Sequence, residues 1–233
     1  MSITNVYVDA FNLYYGCLKD TPYKWLDLGT LCRLLLPGYT IKRIRYFTAI
    51  VESRPWDPGQ QQRQQAYIRA LQTIPHLTVH YGSFLTNAVR LPVARPQPGL
   101  PRTVEVLRTE EKGSDVNLAT HLLVDGFRGD YDTAVVVSND SDLKAPIDAV
   151  RRELGLAVGV AIPRPRIRRS ALPADFYRRS AKVCLQRASS RRPSAMAAAS
   201  SGGRKLGSPE KQRPPGGGLA PCHRSSKVGT RSW

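Results

Sequence analysis

Several sequence signals that mark large classes of protein are missing from these 233 residues. No apolar run approaches the roughly 20 residues that a membrane-spanning helix needs, so no membrane partner is expected. The first residues, Met1–Asn5, contain no basic segment followed by an apolar one, which argues against a signal peptide. We therefore expect a cytoplasmic protein.

Cysteines are scarce and scattered, and no CxxC pair occurs among Cys17, Cys32, Cys184 and Cys222. Cys17 and Cys32 lie in segments typical of a core, so reduced thiols packed as small hydrophobic groups are expected. Cys222 and His223 are neighbours without further ligands at a usable spacing, which disfavours a zinc site.

Two phosphate-binding motifs are also missing. No GxGxxG follows the first apolar segment at Asn5–Asp9, and GxxxxGK[ST] occurs nowhere in the chain. Because such loops hold phosphates through their backbone N–H groups, their absence disfavours a nucleotide-binding Rossmann enzyme.

Acidic residues are outnumbered, with 18 Asp and Glu against 35 Lys and Arg, and the net charge is +17. Residues 187–233 carry ten basic residues and one acidic residue, so about half of the excess lies there and the rest in the preceding body. A basic surface of this kind attracts polyanions, and nucleic acid is the expected partner. Genomic base bias is the competing explanation, and it applies better to the tail than to the body.

Apolar segments alternate with helical ones, which predicts a parallel sheet covered by helices on both faces, a three-layer α/β/α fold. The predicted strands are Asn5–Asp9, Ile41–Val51, Leu77–Phe84, Asp132–Ser138 and Leu156–Ile162. The predicted helices are Trp25–Leu36, Gln60–Ile74, Ser114–Phe127, Asp142–Leu154 and a short final one within Ala171–Leu185. Between strands and helices, Pro92–Pro101 is expected to be irregular and Thr103–Leu107 to be an extended arm.

Composition divides the chain into two parts. Residues 1–180 are predicted to form one folded domain. Residues 187–233 are rich in Ser, Gly, Pro and Arg and cannot bury enough apolar surface to offset their ordering entropy, so a disordered basic tail is predicted. The oligomeric state is not fixed by the sequence, and a homo-oligomer stays open.

Carboxylates follow the predicted strands at one rim of the sheet. Asp9 ends the first strand, Asp140 and Asp142 follow the strand at Asp132–Ser138, and Asp115 opens a helix. Ligands of doubly wound sheets gather outside the carboxyl ends of the strands, so these side chains are expected to converge. Crowded carboxylates repel one another unless a cation lies between them, and oxygen ligands select Mg²⁺ or Mn²⁺. Such ions can activate water against a phosphodiester.

Each of these residues has a structural explanation as well. Asp9 could cap a turn, although a carboxylate directly after a buried strand is costly without a partner. Asp115 could be a favourable charge in a first helical turn, while Asp140 and Asp142 could be turn and N-cap residues. Asn12 could bond its own loop, or orient Asp9 or a substrate phosphate. Glu110 and Glu111 are expected to be solvated loop charges, and Ser114 to be an N-cap.

Three blocks of sequence, Val8–Tyr14 (VDAFNLY), Lys112–Ala119 (KGSDVNLA) and Val137–Leu143 (VSNDSDL), resemble the signature blocks of NYN domains. These domains belong to the PIN-like ribonuclease superfamily, which includes a LabA-type bacterial branch. Any single block is weak evidence, but the order and spacing of the three are specific. Asn139 stands where such blocks often have glycine, and asparagine tolerates the left-handed backbone that glycine allows.

The resemblance implies a PIN-like α/β fold and a metal-dependent endoribonuclease. Asp9, Asp115 and Asp140 would bind Mg²⁺ or Mn²⁺, Asp142 would complete the catalytic site, and Asn12 would assist. RNA is then the expected substrate. The alternative is a catalytically weak RNA-binding or regulatory module that retains the fold. A haloacid-dehalogenase-type phosphatase is disfavoured, because Phe11 stands where its second aspartate would be.

Overall fold

The computed structural model describes residues 2–163, 172–179 and 182–190, and its centre is a parallel sheet of six strands. In chain order the strands are β1 Ile3–Asp9, β2 Thr40–Thr48, β3 Leu77–Tyr81, β4 Ser83–Pro92, β5 Thr103–Lys112, β6 Thr133–Val137, β7 Ala157–Ile162 and β8 Phe176–Arg179. The central sheet has the order β3-β2-β1-β6-β7-β8, and every neighbouring pair in it is parallel. The predicted parallel sheet is therefore confirmed.

Helices connect these strands. They are α1 Ala10–Leu13, α2 Leu28–Leu35, α3 Gln60–Leu71, α4 Ser114–Phe127, α5 Lys144–Glu153 and α6 Lys182–Ser190. A π-helical turn, Tyr14–Leu18, continues α1, and a 3₁₀ turn, Ser141–Leu143, precedes α5. Within the described residues, none of the helices has the length and apolarity needed to cross a bilayer.

Two apolar layers enclose the sheet, as the alternation along β1 shows. Val6 and Val8 belong to one layer, where Leu31 of α2 is also buried. Tyr7, between them, belongs to the opposite layer, together with Leu118 of α4. Successive side chains of a strand point to opposite faces, so a strand buried on both faces requires an apolar residue at almost every position. The predicted three-layer α/β/α arrangement is confirmed.

A buried ion pair ties α4 to the sheet. Asp125 of α4 accepts hydrogen bonds from Arg45 of β2, at 2.7 and 2.8 Å, and from the Tyr7 hydroxyl of β1, at 2.8 Å. Burial opposes ionisation of Asp125, but these donors outweigh it and hold the pKa of its carboxyl below the usual value. Burial and the charge of Asp125 raise the pKa of the Tyr7 hydroxyl, which therefore remains a donor.

The third predicted strand, Leu77–Phe84, is wrong in its last three residues, which do not continue the parallel strand. The parallel strand ends at Tyr81, and beyond it β4 and β5 pair as an antiparallel hairpin, separate from the central sheet. Gly82 allows this change, because a Cβ there would lie 2.5 Å from the Lys112 carbonyl oxygen. The expected arm at Thr103–Leu107 is half of β5, and the expected irregular stretch, Pro92–Pro101, matches to within one residue the loop 93–102 that joins the two strands.

The C-terminal helix also begins later than predicted. Phe176–Arg179, inside the segment predicted to be helical, forms β8 at the edge of the sheet, and the helix is α6. Leu185 and Ala188 of α6 are buried against the core that includes α2. Packing thus continues past residue 180 and into residues 187–190, which were predicted to begin the disordered tail but belong to α6. The rest of the predicted tail lies outside the described residues.

Candidate metal centre

The strands that carry the predicted aspartates lie side by side. Val8 of β1 pairs with Val137 of β6, and the sheet runs from β1 to β2 and β3 on one side and from β6 to β7 on the other. The strand order therefore reverses between β1 and β6, the position where doubly wound sheets bind ligands. Asp9 ends β1, and Asp140 follows β6 after two intervening residues.

Asp9 is buried, with 6% of its surface exposed, and both of its carboxylate oxygens accept hydrogen bonds. The backbone N–H of Asn12 donates to Oδ1 at 2.9 Å, and the Ser138 hydroxyl donates to Oδ2 at 2.9 Å. The first bond caps α1 and the second crosses from β1 to the end of β6. Asp9 is thus a turn cap, as its structural explanation supposed, and its carboxylate is also fixed at the sheet edge.

The turn after β6 is organised by Asp140 rather than by Asp142. The carboxylate of Asp140 accepts from the Asp142 backbone N–H at 3.1 Å, and the backbone N–H of Asp140 donates to the Ser138 hydroxyl at 3.1 Å. Asp140 is therefore the N-cap of the 3₁₀ turn, and the expectation that Asp142 fills that role was wrong. A cap uses only one lone pair of the Asp140 carboxylate, so the side chains of Asp140 and Asp142 both retain lone pairs that could bind an ion.

Asn12 joins the two strand ends. Its side-chain carbonyl accepts from the Asn139 backbone N–H at 3.2 Å, while its own N–H holds Asp9. Among the described residues only glycines have a positive φ, so Asn139 does not use the left-handed backbone expected of it. Asn12 contacts the loops of both aspartates, and the structure therefore gives it a positioning role.

Asp115 comes from a third segment, in the first turn of α4. Gly113, with φ of 93°, is the N-cap of this helix, so the prediction that Ser114 caps it was wrong. The Ser114 N–H instead donates to the Glu111 carboxylate at 3.0 Å. Glu110 and Glu111 lie in β5, which corrects their assignment to a loop.

Glu111 is the acidic residue that the sequence reasoning missed. A usable signal was present: Glu111 stands three residues before the N–H that it accepts, the same spacing as Asp9 before Asn12 and Asp27 before Thr30. Each of these N–H groups lies in the first turn of a helix, so a carboxylate three residues before such a position can accept from it and be held at that helix end.

The electrostatics of the cluster are unbalanced. Burial, and after it the negative charges of Asp9, Asp140, Glu111 and Asp142, together raise the pKa of Asp115 to about 7. Burial also raises the pKa of Asp9 to about 6, against the hydrogen bonds from Asn12 and Ser138, with Asp140 adding to the rise. The charges that act most strongly on Asp115 are all negative, an imbalance that a cation between the carboxylates would relieve.

The donor set fits a hard divalent cation. Asp9, Asp115, Asp140 and Asp142 would hold it, and Glu111 adds a fifth carboxylate nearby. Such oxygen donors suit Mg²⁺ or Mn²⁺. In the part of the chain that the structure describes, no three acidic, histidine or cysteine side chains are close enough to enclose an ion in their present positions. Binding one therefore requires these side chains to move towards one another.

A parallel α/β/α sheet with carboxylates gathered where the strand order reverses defines a PIN-like fold of the nuclease type. The chain belongs to the NYN domain family, whose model matches residues 3–179. The match confirms the family that the three sequence blocks indicated. NYN domains are nuclease-type hydrolases, and the family implies binding of RNA.

Two further proteins are similar to this chain. The 6-hydroxy-3-succinoylpyridine 3-monooxygenase HspA of Pseudomonas putida is 32% identical over 192 residues, which cover 72% of this chain and 62% of that protein. The chain thus spans less than two thirds of the length of this curated relative. The crystal structure of a protein of unknown function from Vibrio parahaemolyticus is 18% identical, covers 78% of this chain and 94% of its own, and has a TM-score of 0.49.

Proposed function

We propose that this protein is a metal-dependent endoribonuclease that hydrolyses RNA phosphodiester bonds at the carboxyl edge of its sheet. The observation that carries the proposal is the convergence of Asp9, Asp115, Asp140 and Asp142 from three separate segments. Burial and the charges of the other three help to raise the pKa of Asp115 to about 7. Mg²⁺ or Mn²⁺, when bound, would polarise the phosphodiester and activate water.

The residues of the chain divide the remaining work. Asp9 is the most rigid ligand, because hydrogen bonds fix both of its oxygens. Asp140 and Asp142 follow on the adjacent turn, and Asp115 enters from α4. Asn12 keeps the loops of Asp9 and Asp140 in register through its bond to Asn139. Catalysis by positioned groups is sensitive to small displacements, so these supporting bonds are part of the site.

Two features support RNA as the substrate. The family implies RNA binding, and the chain carries a net charge of +17, about half of it outside the predicted tail. A phosphate backbone is attracted to such a charge excess whatever its sequence. The same features are compatible with a module that binds RNA without cutting it, so the test must measure cleavage.

The test uses the purified full chain and a circular RNA, which has no ends, so that only an internal cut converts it to a linear product. We expect conversion with Mn²⁺ or Mg²⁺ and none with EDTA. Asp9→Asn should slow it strongly. Asp130→Asn is the matched control, because Asp130 is a half-buried carboxylate that pairs with Lys42 and Arg43 at the opposite edge of the sheet from Asp9. Cutting that persists in EDTA, or that is equally fast in both variants, would sink the proposal.

Two other functions are outcomes of the same experiment. If the RNA is bound but never cut with either ion, the RNA-binding module replaces the nuclease. The second alternative function is that of the relative described as a monooxygenase, which is 32% identical over 72% of this chain. Incubation with 6-hydroxy-3-succinoylpyridine therefore belongs in the assay. Oxygenation of that compound without RNA cleavage would favour the relative's chemistry.

A further inference from the structure

A groove of about 960 Å³ lies between the β4–β5 hairpin and residues 51–60. Four aromatic side chains line it, Phe11, Tyr15, Trp56 and Phe84. The groove adjoins the candidate metal centre, because its lining includes Glu111, whose carboxylate accepts the N–H of Ser114, the residue before Asp115, at 3.0 Å. Phe11 also follows Asp9 by two residues. One end of a ligand in the groove would therefore lie close to the carboxylates of the metal centre.

Trp56 has the largest side chain in the lining, and 77% of it is exposed. It sits at the tip of a turn that backbone hydrogen bonds between Arg54 and Asp57 close, the shorter at 2.9 Å. Arg63 braces the same turn through the Asp57 carboxylate at 2.7 Å, and the Arg54 guanidinium lies 5.6 Å from the indole ring centre. An indole held out on a braced turn is a preformed stacking surface for a planar ring.

A second aromatic contact lies closer to the metal centre. Phe84 of β4 meets Phe11 edge to face, with ring centres 5.8 Å apart. Phe84 is also directly opposite Glu111 in the hairpin ladder, so the two side chains share a face. The groove thus presents aromatic surface at Trp56 and again beside the acidic cluster.

The charges along the groove largely cancel. Arg108 and Lys112 both form ion pairs with Glu110, the second at 2.6 Å. With Arg54, Glu52 and Glu111 added, the lining has three cationic and three anionic side chains. Phosphate binding is therefore not what distinguishes this groove. Its aromatic surface matches bases, whose faces are accessible only when they are unpaired.

We infer that the groove binds unpaired nucleotides of an RNA strand, with a base stacked on Trp56 and the strand continuing past Phe84 to the metal centre. The inference rests on the proposed function and narrows its substrate to single-stranded RNA. In a duplex the bases are stacked on one another and paired, so they offer Trp56 no free face.

Equilibrium binding in EDTA tests the inference separately from the chemistry. The full chain is titrated against a labelled, unstructured 12-nucleotide RNA and a duplex of the same length. Trp56→Ala should weaken single-strand binding on the order of 10- to 100-fold, Trp56→Phe should restore most of it, and duplex binding should change little. The salt dependence should be unchanged, because no charge is removed.

Phe127→Ala is the matched control. Phe127 is an exposed aromatic residue, 72% accessible, at the last position of α4, about 18 Å along the helix from Asp115 at 1.5 Å per residue. It should bind both RNAs as the unmodified chain does. Equal melting temperatures would show that Trp56→Ala is folded.

Three results would overturn the inference. One is Trp56→Ala binding the single strand as tightly as the unmodified chain, and another is an equal loss for the duplex. The third is that binding of 6-hydroxy-3-succinoylpyridine or free uridine depends on Trp56, while binding of the oligonucleotide does not. That result would make the groove a site for small heteroaromatic rings. Conversely, Trp56-dependent single-strand binding by a protein that never cuts RNA with Mn²⁺ would remove only the nuclease proposal.

Discussion

Of the four predicted ligands, Asp9 and Asp140 are the two whose carboxylates accept hydrogen bonds within the described residues, from Asn12, Ser138 and the N–H of Asp142. Replacing either with asparagine keeps its shape and removes one charge. If each contributes on the order of 3–4 kcal/mol to the transition state, RNA cleavage should fall roughly 10²- to 10³-fold.

The order of effects is as informative as their size. Asp142→Asn should cost less than either change, because Asp142 contributes its backbone rather than its side chain to the turn. Asn12→Ala should cost less again, because loss of a positioning group need not expel an ion. Cleavage rates under single-turnover conditions measure all four. Equal rates for Asp9→Asn and the unmodified chain would place the hydrolytic site elsewhere.

Asp125 has a different role, which is to hold the fold together. It is 1% exposed and neutralises Arg45, which is also buried. Asp125→Asn should therefore lower the free energy of unfolding by about 3–5 kcal/mol, because it leaves a buried guanidinium uncompensated. The control is Asp148→Asn, which removes an exposed pair with Arg152 and should cost about 0.5 kcal/mol or less.

The same residue predicts a pH dependence. Because the folded pKa of Asp125 is depressed, its stabilisation is present above the unfolded value of about 3.9 and is lost as the pH falls through the folded pKa. Urea unfolding of the unmodified chain and of Asp125→Asn from pH 3 to pH 7 measures this dependence. The difference between unmodified chain and Asp125→Asn should shrink below pH 4. A constant difference would mean that Asp125 does not titrate as the structure implies.

Residues could be predicted where one local pattern decided their position. Asp9 and Asp140 were placed correctly because each follows an apolar strand directly or within one turn. Glu111 was not, because its neighbourhood depends on the hairpin folding back to the start of α4. The local sequence also does not specify whether a carboxylate caps a turn or binds an ion. Both oxygens of Asp9 accept hydrogen bonds, and each retains a lone pair that an ion could use.

The hairpin of β4 and β5 is separate from the central sheet, because its ten residue pairs form a two-stranded sheet of their own. Replacing residues 88–107 with a two-residue Asn-Gly turn should therefore shift the melting temperature little. It should weaken binding of single-stranded RNA, because Leu91, Val106 and Leu107 of the groove are removed.

Thermal unfolding and oligonucleotide binding of the shortened chain measure the two effects separately. A large drop in melting temperature would show that the hairpin supports the central sheet. Unchanged RNA binding would show that the distal part of the groove contributes nothing.

Elements were predictable in proportion to their burial. Helix α4 has the predicted bounds, Ser114–Phe127, because its apolar face follows the helical repeat and Gly113 marks its start. The hairpin carries apolar residues such as Leu85 and Leu107 on exposed positions, so its sequence lacks the alternation that marks a half-buried strand. Strand β8 has only four residues, and its pairing with β7 is a long-range choice that local propensity does not specify.

At the scale of the whole molecule, charge is distributed unevenly between the folded body and residues 191–233, which contain nine basic residues and one acidic residue. Ending the chain after Ser190 should leave the melting temperature unchanged, because α6 stays in place. It should weaken RNA binding and flatten the dependence of log K on log salt, by about 0.7 for each phosphate of a single strand that the tail no longer neutralises.

Ending the chain after residue 180 provides the comparison. That deletion also removes Leu185 and Ala188 from the core, so it should lower the melting temperature as well as the RNA affinity. If the two truncations melt alike, α6 contributes nothing to stability. If the salt dependence does not change in the longer one, the basic tail does not contact RNA.

The strand order also sets the ease with which different parts of the molecule exchange their amide hydrogens. β1 and β6 are the two innermost strands, so their amides can reach solvent only when much of the sheet opens, whereas the hairpin has no third strand to protect it. Asp9 and Asp140 are attached to the slowest-exchanging part of the chain, and Phe84 to one of the fastest. Opening of the hairpin, which would admit and release a strand, can therefore proceed without loosening Asp9 and Asp140, which lie at or just beyond the ends of the innermost strands.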